Sequence, residues 1–297
     1  QAGGSQQVHY ANPVRGFIST STDIIQFGLG QAAAADRIQV QWPDGKVQTL
    51  ENVPANQRLT LKYSDAKPGP SILKLPANAA PLFSDLSAQS GLNMKHEENK
   101  FFDFDRERLL PHRYSNLGPA LAKGDVNGDG LDDLYIGGGF GAKKYLCLQG
   151  ASGKFSAQYN LFIADTLKED VGAAFFDADG DKDLDLYIVS GGNEPKLNTS
   201  YYQDRLYLND GKGKFSAAND RLPTETESGS CVTPFDYDKD GDLDLFVGGR
   251  TVPGNFPKTP YSFVFQNTGG KFSNVTTQVA PEFSQIGMVT DILFADL

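Results

Sequence analysis

Three nine-residue segments place oxygen donors at every second position: Asp125-Val-Asn-Gly-Asp-Gly-Leu-Asp-Asp133, Asp177-Ala-Asp-Gly-Asp-Lys-Asp-Leu-Asp185 and Asp236-Tyr-Asp-Lys-Asp-Gly-Asp-Leu-Asp244. The candidate ligands are Asp125, Asn127, Asp129, Leu131 and Asp133 in the first, and Asp177, Asp179, Asp181, Asp183 and Asp185 in the second. In the third they are Asp236, Asp238, Asp240, Asp242 and Asp244. Positions 1, 3, 5 and 9 offer side-chain oxygens and position 7 its backbone carbonyl, a set that wraps one hard cation in a tight loop. Carboxylates packed this closely repel one another, and a Ca²⁺ ion removes the repulsion. Mg²⁺ suits the loops less, because it keeps several waters instead of accepting a crowded protein cage. Gly130 and Gly241 at position 6 permit the sharp bend, whereas the second loop has Lys182 there and is expected to bind more weakly. The plainer reading, polar Asp-Gly turns with no ion, is weak for the first and third loops and stronger for the second. An EF-hand is excluded, since position 12 is Ile136, Ile188 and Val247 where that motif needs a bidentate Glu.

The elements around the loops repeat with them. The loops begin at Asp125, Asp177 and Asp236, a spacing of 52 and then 59 residues. After each loop the apolar residues alternate, as in Leu134/Ile136, Leu186/Ile188 and Leu245/Val247, and a Gly-Gly pair ends the run. A further strand follows in each copy and leads to Gly153-Lys-Phe, Gly213-Lys-Phe or Gly270-Lys-Phe. Before each loop the chain is small or apolar at almost every position, which predicts a strand buried on both faces. The unit is therefore strand, acidic loop, strand, glycine turn, strand, Gly-Lys turn, strand. Leu82-Phe-Ser84 reads as the tail of an earlier copy, and Ile292-Leu-Phe-Ala-Asp296 as the approach to a fourth loop.

Charge narrows the partners. The chain of 297 residues carries 37 acids against 27 bases, a net −10. The three loops hold 14 of those acids and two lysines, so the remainder sums to +2. That leaves no clustered basic excess for nucleic acid or an anionic membrane. No run approaches the roughly 18 apolar residues of a spanning helix. Cys147 and Cys231 sit in apolar strand-like runs and read as buried free thiols.

The first 64 residues lack the repeat. Arg37-Ile-Gln-Val-Gln-Trp42 alternates, Pro43-Asp-Gly45 is turn chemistry and Val47 to Leu50 resumes the strand, which predicts a hairpin. Leu59, Leu61 and Tyr63 alternate again, and Trp42 reads as a core or rim residue. Residues 65–81, with four prolines, read as a linker, and residues 82–297 as the repeat region.

With their Gly-Gly and Gly-Lys-Phe punctuation the three loops resemble FG-GAP/VCBS-type repeats, calcium-binding blades also found in the head of integrin alpha chains. Arg15-Gly-Phe-Ile-Ser19, Gln26-Phe-Gly-Leu-Gly30, Val40-Gln-Trp-Pro-Asp-Gly-Lys46 and Glu51-Asn-Val-Pro-Ala-Asn-Gln57 resemble the ASPIC/UnbV domain. The combination is similar to large secreted or surface proteins of bacteria and to the cartilage acidic proteins of animals. The resemblance implies an all-β chain: a small β-rich ASPIC/UnbV domain followed by calcium-binding β-propeller blades. Propellers of this group have about seven blades, more than the three and a half units present, so the rest is expected beyond Leu297 or from another segment.

Other residues compete for a role. His96, Glu97, Asp103 and His112 lie in a dense mixed-charge segment and can build a metal or acid–base site, or simply face water while Phe101, Phe102 and Phe104 anchor the chain. The connections 193–205 and 250–258 carry the Tyr, Phe, Arg and Asn content of recognition surfaces, or of blade packing. No nucleophile elbow, zinc-protease motif, phosphate loop or dinucleotide fingerprint is present. The expected function is a non-catalytic, calcium-stabilised extracellular scaffold, on a bacterial outer surface or secreted, that recognises a protein or glycan. The alternatives are a propeller enzyme acting on polysaccharide or lipid, with Glu97, Asp103, Glu194 or Asp204 paired across a pocket, and an accessory subunit of an outer-membrane complex.

Overall fold

The computed structural model describes residues 1–12, 14, 19–20, 22, 24–70, 83–196 and 199–294. The chain divides into two compact units, Gln1–Ser84 and Asp85–Leu297. Most of the Arg15–Ser19 motif, most of the expected linker, Leu82 and the last two residues of the fourth loop approach lie outside the described residues.

In the first unit, strands β1 (Ala34–Gln41) and β2 (Val47–Pro54) form the expected antiparallel hairpin. Its turn is closed by the Gly45 N–H donating to Trp42 O at 2.8 Å, with Gly45 at φ 86°. Trp42 is half-buried and meets Tyr63 edge-on at 5.5 Å. Leu59 to Tyr63 do not continue the sheet. Among the described residues no strand pairs with them, and Tyr63 instead starts a short 3-10 turn and donates its hydroxyl to Asp44 at 2.6 Å.

The second unit is built from three four-stranded antiparallel sheets, each a simple meander. The first orders β3 (Leu121–Gly124), β4 (Asp133–Ile136), β5 (Tyr145–Gln149) and β6 (Phe155–Gln158). The second orders β7 (Glu169–Phe176), β8 (Asp185–Gly191), β9 (Arg205–Leu208) and β10 (Ser216–Ala217). The third orders β11 (Ser228–Phe235), β12 (Asp244–Thr251), β13 (Phe263–Thr268) and β14 (Lys271–Asn274). These are β-propeller blades, and the all-β expectation holds: the α-helices here are single turns of four residues.

Two hydrophobic cores weld the blades together, and β8 belongs to both. Leu186 and Ile188 pack with Ala122, Tyr135 and Leu146 of the first blade, while Tyr187 and Val189 pack with Leu245, Val247 and Phe265 of the third. Period-2 alternation thus serves two neighbours, and every residue of β8 is buried. Each fully buried Leu or Ile contributes roughly 1.5–3 kcal/mol. The first strand of each blade, expected to be buried on both faces, is only partly so; β7 and β11 are mostly half-buried. Their small residues answer a different need. Adjacent first strands approach closely, and a Cβ on Gly172 would stand 2.9 Å from Ser230 O and 3.1 Å from Cys231 Cα. Cys147 is buried and Cys231 half-buried; both are free, and burial pushes the Cys147 thiol up to about 11.

Candidate metal centres

Each acidic loop follows the first strand of its blade and is shaped by its own carboxylates. The position-1 Asp folds back over the loop: Asp125 accepts the Gly128 and Gly130 N–H groups at 2.8 Å, Asp177 those of Gly180 and Lys182 at 2.8 and 3.0 Å, and Asp236 that of Gly241 at 3.2 Å. The position-5 Asp accepts from position 7, as Asp129 does from Leu131, Asp181 from Asp183 and Asp240 from Asp242. Positions 4 and 6 are left-handed in all three loops. Glycine fills four of those places at no steric cost, and Lys182 (φ 75°) and Lys239 (φ 62°) take the other two.

The position-9 Asp is the buried anchor. Asp133, Asp185 and Asp244 are each at most 1% exposed. One oxygen accepts the position-2 N–H of the loop (Val126, Ala178, Tyr237) and the other the N–H at the end of the third strand (Gln149, Asn209, Asn267), all at 2.7–3.1 Å. Burial still outweighs these bonds and raises all three carboxyls, Asp185 to about 7. Burial, with Asp181 close by, raises Asp183 to about 6. At the open end the Gly130 N–H holds Asp125 below its usual range.

Ligand atoms converge in two loops. One carboxylate oxygen each from Asp177, Asp179 and Asp185 lies within 4.8 Å of the others, and the same holds for Asp236, Asp238 and Asp244. The first loop has Asn127 at position 3, so its carboxylates form no such trio. Asp181 and Asp240 stand outside the trios. The Asp242 side chain accepts the Gly269 N–H at 2.9 Å, which leaves its backbone carbonyl as the ligand atom at position 7. The donor set fits a hard divalent cation. It consists of oxygen only, and Asp179 Oδ1, Asp183 Oδ1 and Asp236 Oδ1 are buried atoms with no hydrogen-bond partner.

Sequence reasoning missed the residues that tie each loop to the next blade. Asn209 Nδ2 donates to Val126 O at 2.7 Å and to Leu184 O, and Asn267 Nδ2 donates to Ala178 O at 2.9 Å and to Leu243 O. Each thereby clasps the position-2 carbonyl of the preceding loop. The recurrence of Asn after the third strand was the available signal. Two further side chains reach the position-3 ligands: Arg221 Nη1 lies 3.3 Å from Asp179, and Gln266 donates to Asp238 at 2.6 Å.

The other singled-out residues do not gather into one site. Asp103 is fully buried and accepts from Tyr114 N, Ser115 N, Ser115 Oγ and Asn193 Nδ2. His96 contacts Glu98, whereas His112 stacks edge-on against Tyr114 and lies 3.4 Å from Arg250. Asp204 accepts from Tyr187 and Ser190. In the connections, Tyr202 and Arg205 are buried, the latter on Asp170 and Ser190 of its own blade, while Tyr201 stays 37% exposed.

Comparison with known families agrees with the architecture. The family described as ASPIC and UnbV matches residues 1–68, and the FG-GAP-like repeat matches residues 125–188 and 190–247. No curated protein matches the chain. Two acidic loops that gather carboxylates, inside blades that match this repeat and behind a domain that matches the other family, make the chain an FG-GAP repeat protein with an ASPIC/UnbV domain.

Proposed function

We propose that the chain is a non-catalytic, calcium-stabilised binding or adhesion scaffold that works outside the cytoplasm on a protein or glycan. The observation that supports it most is the convergence of the position-1, 3 and 9 carboxylates in two consecutive loops with buried oxygens left unpartnered. Asp177, Asp179 and Asp185, with the position-7 carbonyl of Asp183, would hold one ion; Asp236, Asp238, Asp244 and the Asp242 carbonyl a second; the Asn127 loop a weaker third. When bound, the ion supplies positive charge that cancels the repulsion and draws the loop closed. The loop carbonyls clasped by Asn209 and Asn267 then pass that order to the next blade. Extracellular calcium modules bind at about 10⁻⁴–10⁻³ M, a range filled outside cells and empty in cytosol.

Two of the carboxylates that an enzyme reading would use are committed elsewhere: Asp103 is saturated with donors, and Asp204 is held by Tyr187 and Ser190. Among the described residues no helix is long and apolar enough to cross a membrane. The recognition surface would lie in the connections between strands, where loops carry function and where Tyr201 and Tyr261 are partly exposed.

Chelation tests the calcium reading. At 2 mM Ca²⁺ and a Kd near 10⁻⁴ M, each site stabilises by about 2 kcal/mol, so a chelator should lower Tm by on the order of 10 °C. An unchanged Tm together with an unchanged far-UV spectrum would sink it. Pull-down of the protein from its native medium or membrane, with and without chelator, tests the partner: the captured glycan or protein should be lost with the ion.

A further inference from the structure

The first acidic loop departs from the other two at position 3, and the residue there carries a reactive amide. Asn127 stands where the second and third loops have Asp179 and Asp238, and Gly128 follows it in the sequence's only Asn-Gly pair. A glycine nitrogen is the least hindered nucleophile that can attack the preceding side-chain amide, because no Cβ stands beside it. Three contacts are arranged as that attack requires. The Gly128 N–H donates to Asp125 Oδ1 at 2.8 Å, so a base touches the proton that must leave. The Asp129 N–H donates to Asn127 Oδ1 at 3.0 Å, the atom on which negative charge develops. Asn127 Nδ2, the leaving nitrogen, donates to Asp129 Oδ2 at 3.2 Å. Gly128 and Asp129 are exposed, so water reaches the amide.

We propose that Asn127 deamidates within the folded loop and that the aspartate so formed completes the first cation site. The Gly128 nitrogen bonds to Cγ of Asn127, its proton passes by way of Asp125 and water to the departing nitrogen, and the Cγ–Nδ2 bond breaks to release ammonia. Water then adds at Cγ of the cyclic imide, the bond from Cγ to the Gly128 nitrogen breaks, and that nitrogen regains a proton. Water is the one co-reactant, and the product keeps the native backbone with one more negative charge. Opening at the main-chain carbonyl instead gives an isoaspartyl link, which routes the backbone through the side chain. The new carboxylate enters a place like that of Asp179, since each position-3 side chain rests against a glycine of the next blade. A Cβ on Gly213 would meet Asn127 Cβ at 3.6 Å, and one on Gly270 would meet Asp179 Cβ at 2.6 Å. In the second loop that position joins Asp177 and Asp185 in a converging trio. The gain for calcium rests on the reading of the loops as cation sites; the modification itself does not. A bound ion takes Asp125 and Asn127 as ligands and withholds the base, so the reaction belongs to the empty loop.

Incubating the full chain at mildly alkaline pH, in chelator or in calcium, and mapping its peptides by fragment mass tests the modification. In chelator residue 127 should convert to aspartate faster than any other asparagine, and calcium should slow it. Asp125→Asn, which removes the base, should slow conversion in chelator by roughly 10²-fold. Calorimetric titration reads the consequence: Asn127→Asp should bind calcium at the first loop about tenfold more tightly than wild type, and aged wild type should move toward it. An amide that survives in the folded chain while the urea-unfolded chain converts would overturn the proposal, because the loop would then protect Asn127. A wholly isoaspartyl product would overturn it as well. Conversion with no gain in affinity, in aged protein and in Asn127→Asp alike, would sink the completed site and with it the calcium reading of this loop, while the modification would stand.

Discussion

At the Asp177 end of β7 the chain meets its own negative charge with a loop that water reaches; at the Glu169 end, roughly 25 Å along the strand, it meets the same charge in the dry. The loop supplies its own relief. Its N–H groups point inward, so Asp177 and Asp185 accept four backbone hydrogen bonds before any ion arrives. The Glu169 end has few: Glu194 accepts the Asn193 N–H, and Glu169 has Glu194 beside it with only the Leu117 N–H in support. A carboxylate cluster can therefore be made tolerable by backbone donors close in sequence, or by burial that holds a proton on it. The first strategy keeps a charged group in a folded loop, and the second keeps a buried acid neutral.

The sharpest way to break this contrast is to remove an anchor from the loop that has donors. Asp185→Ala strands the buried Ala178 and Asn209 N–H groups, at about 1–3 kcal/mol each. A loss of about 2–5 kcal/mol is expected even in chelator, with a further loss in calcium, read by urea denaturation. Asp183→Ala should be neutral or stabilising in chelator, because Asp183 contributes repulsion and no anchoring bond from the next strand. Equal losses for the two variants would mean that position 9 is a ligand and nothing more.

Asp204 gives a control at the Glu169 end, since it is a buried carboxylate there with donors. Burial raises its carboxyl to about 6 despite bonds from Ser190 and Tyr187 and the charges of Arg205 and Lys168. An acid raised on folding binds its proton more tightly in the native state, so its contribution is complete below the unfolded value near 4. It is lost as pH climbs to 6. The loss is at most about 3 kcal/mol. Urea melts in chelator between pH 4 and 6 should show stability falling in wild type and falling less in Asp204→Asn. Parallel curves would refute the assignment.

The comparison also explains what the sequence could reveal. All five ligand positions of a loop fall within nine residues, and the pattern recurs three times, so chemistry, spacing and the glycine bends were visible together. Strands β4, β8 and β12 announced themselves by alternation for the same reason. The Glu169 pair draws on residues 169 and 194, which share no period and meet only after the blade has folded. Glu194 was noticed in advance, and its partner Glu169 was not. The tight packing of first strands was misread as burial, because small residues mark close approach and burial alike. Leu59 to Tyr63 alternated with no strand to pair with, and alternation without a partner makes no sheet.

Asn267→Ala probes whether the loops speak to their neighbours. It deletes three hydrogen bonds, from Nδ2 to Ala178 O and Leu243 O and from the Gly270 N–H to Oδ1, and should cost about 3 kcal/mol. Because Ala178 belongs to the second loop, the variant should also weaken calcium binding there, which calorimetric titration would read. A pure stability loss with unchanged affinity would confine the clasp to packing.

The smallest effect separates backbone strain from charge inside one loop. Lys182 holds a left-handed conformation, at φ 75°, that costs a side-chain-bearing residue about 1 kcal/mol, so Lys182→Gly should stabilise by up to that amount. Lys182 also adds a positive charge to a loop of five aspartates, which offsets repulsion when no ion is bound and opposes the ion when one is. Removing it therefore helps the chelated protein less than the calcium-loaded one. Lys239→Gly, at the position-4 left-handed bend of the third loop (φ 62°), should show the same ordering. A Tm gain of equal size with and without calcium would leave only the backbone term, and a loss in calcium would mean that the lysine serves the loop in a way that its charge and conformation do not describe.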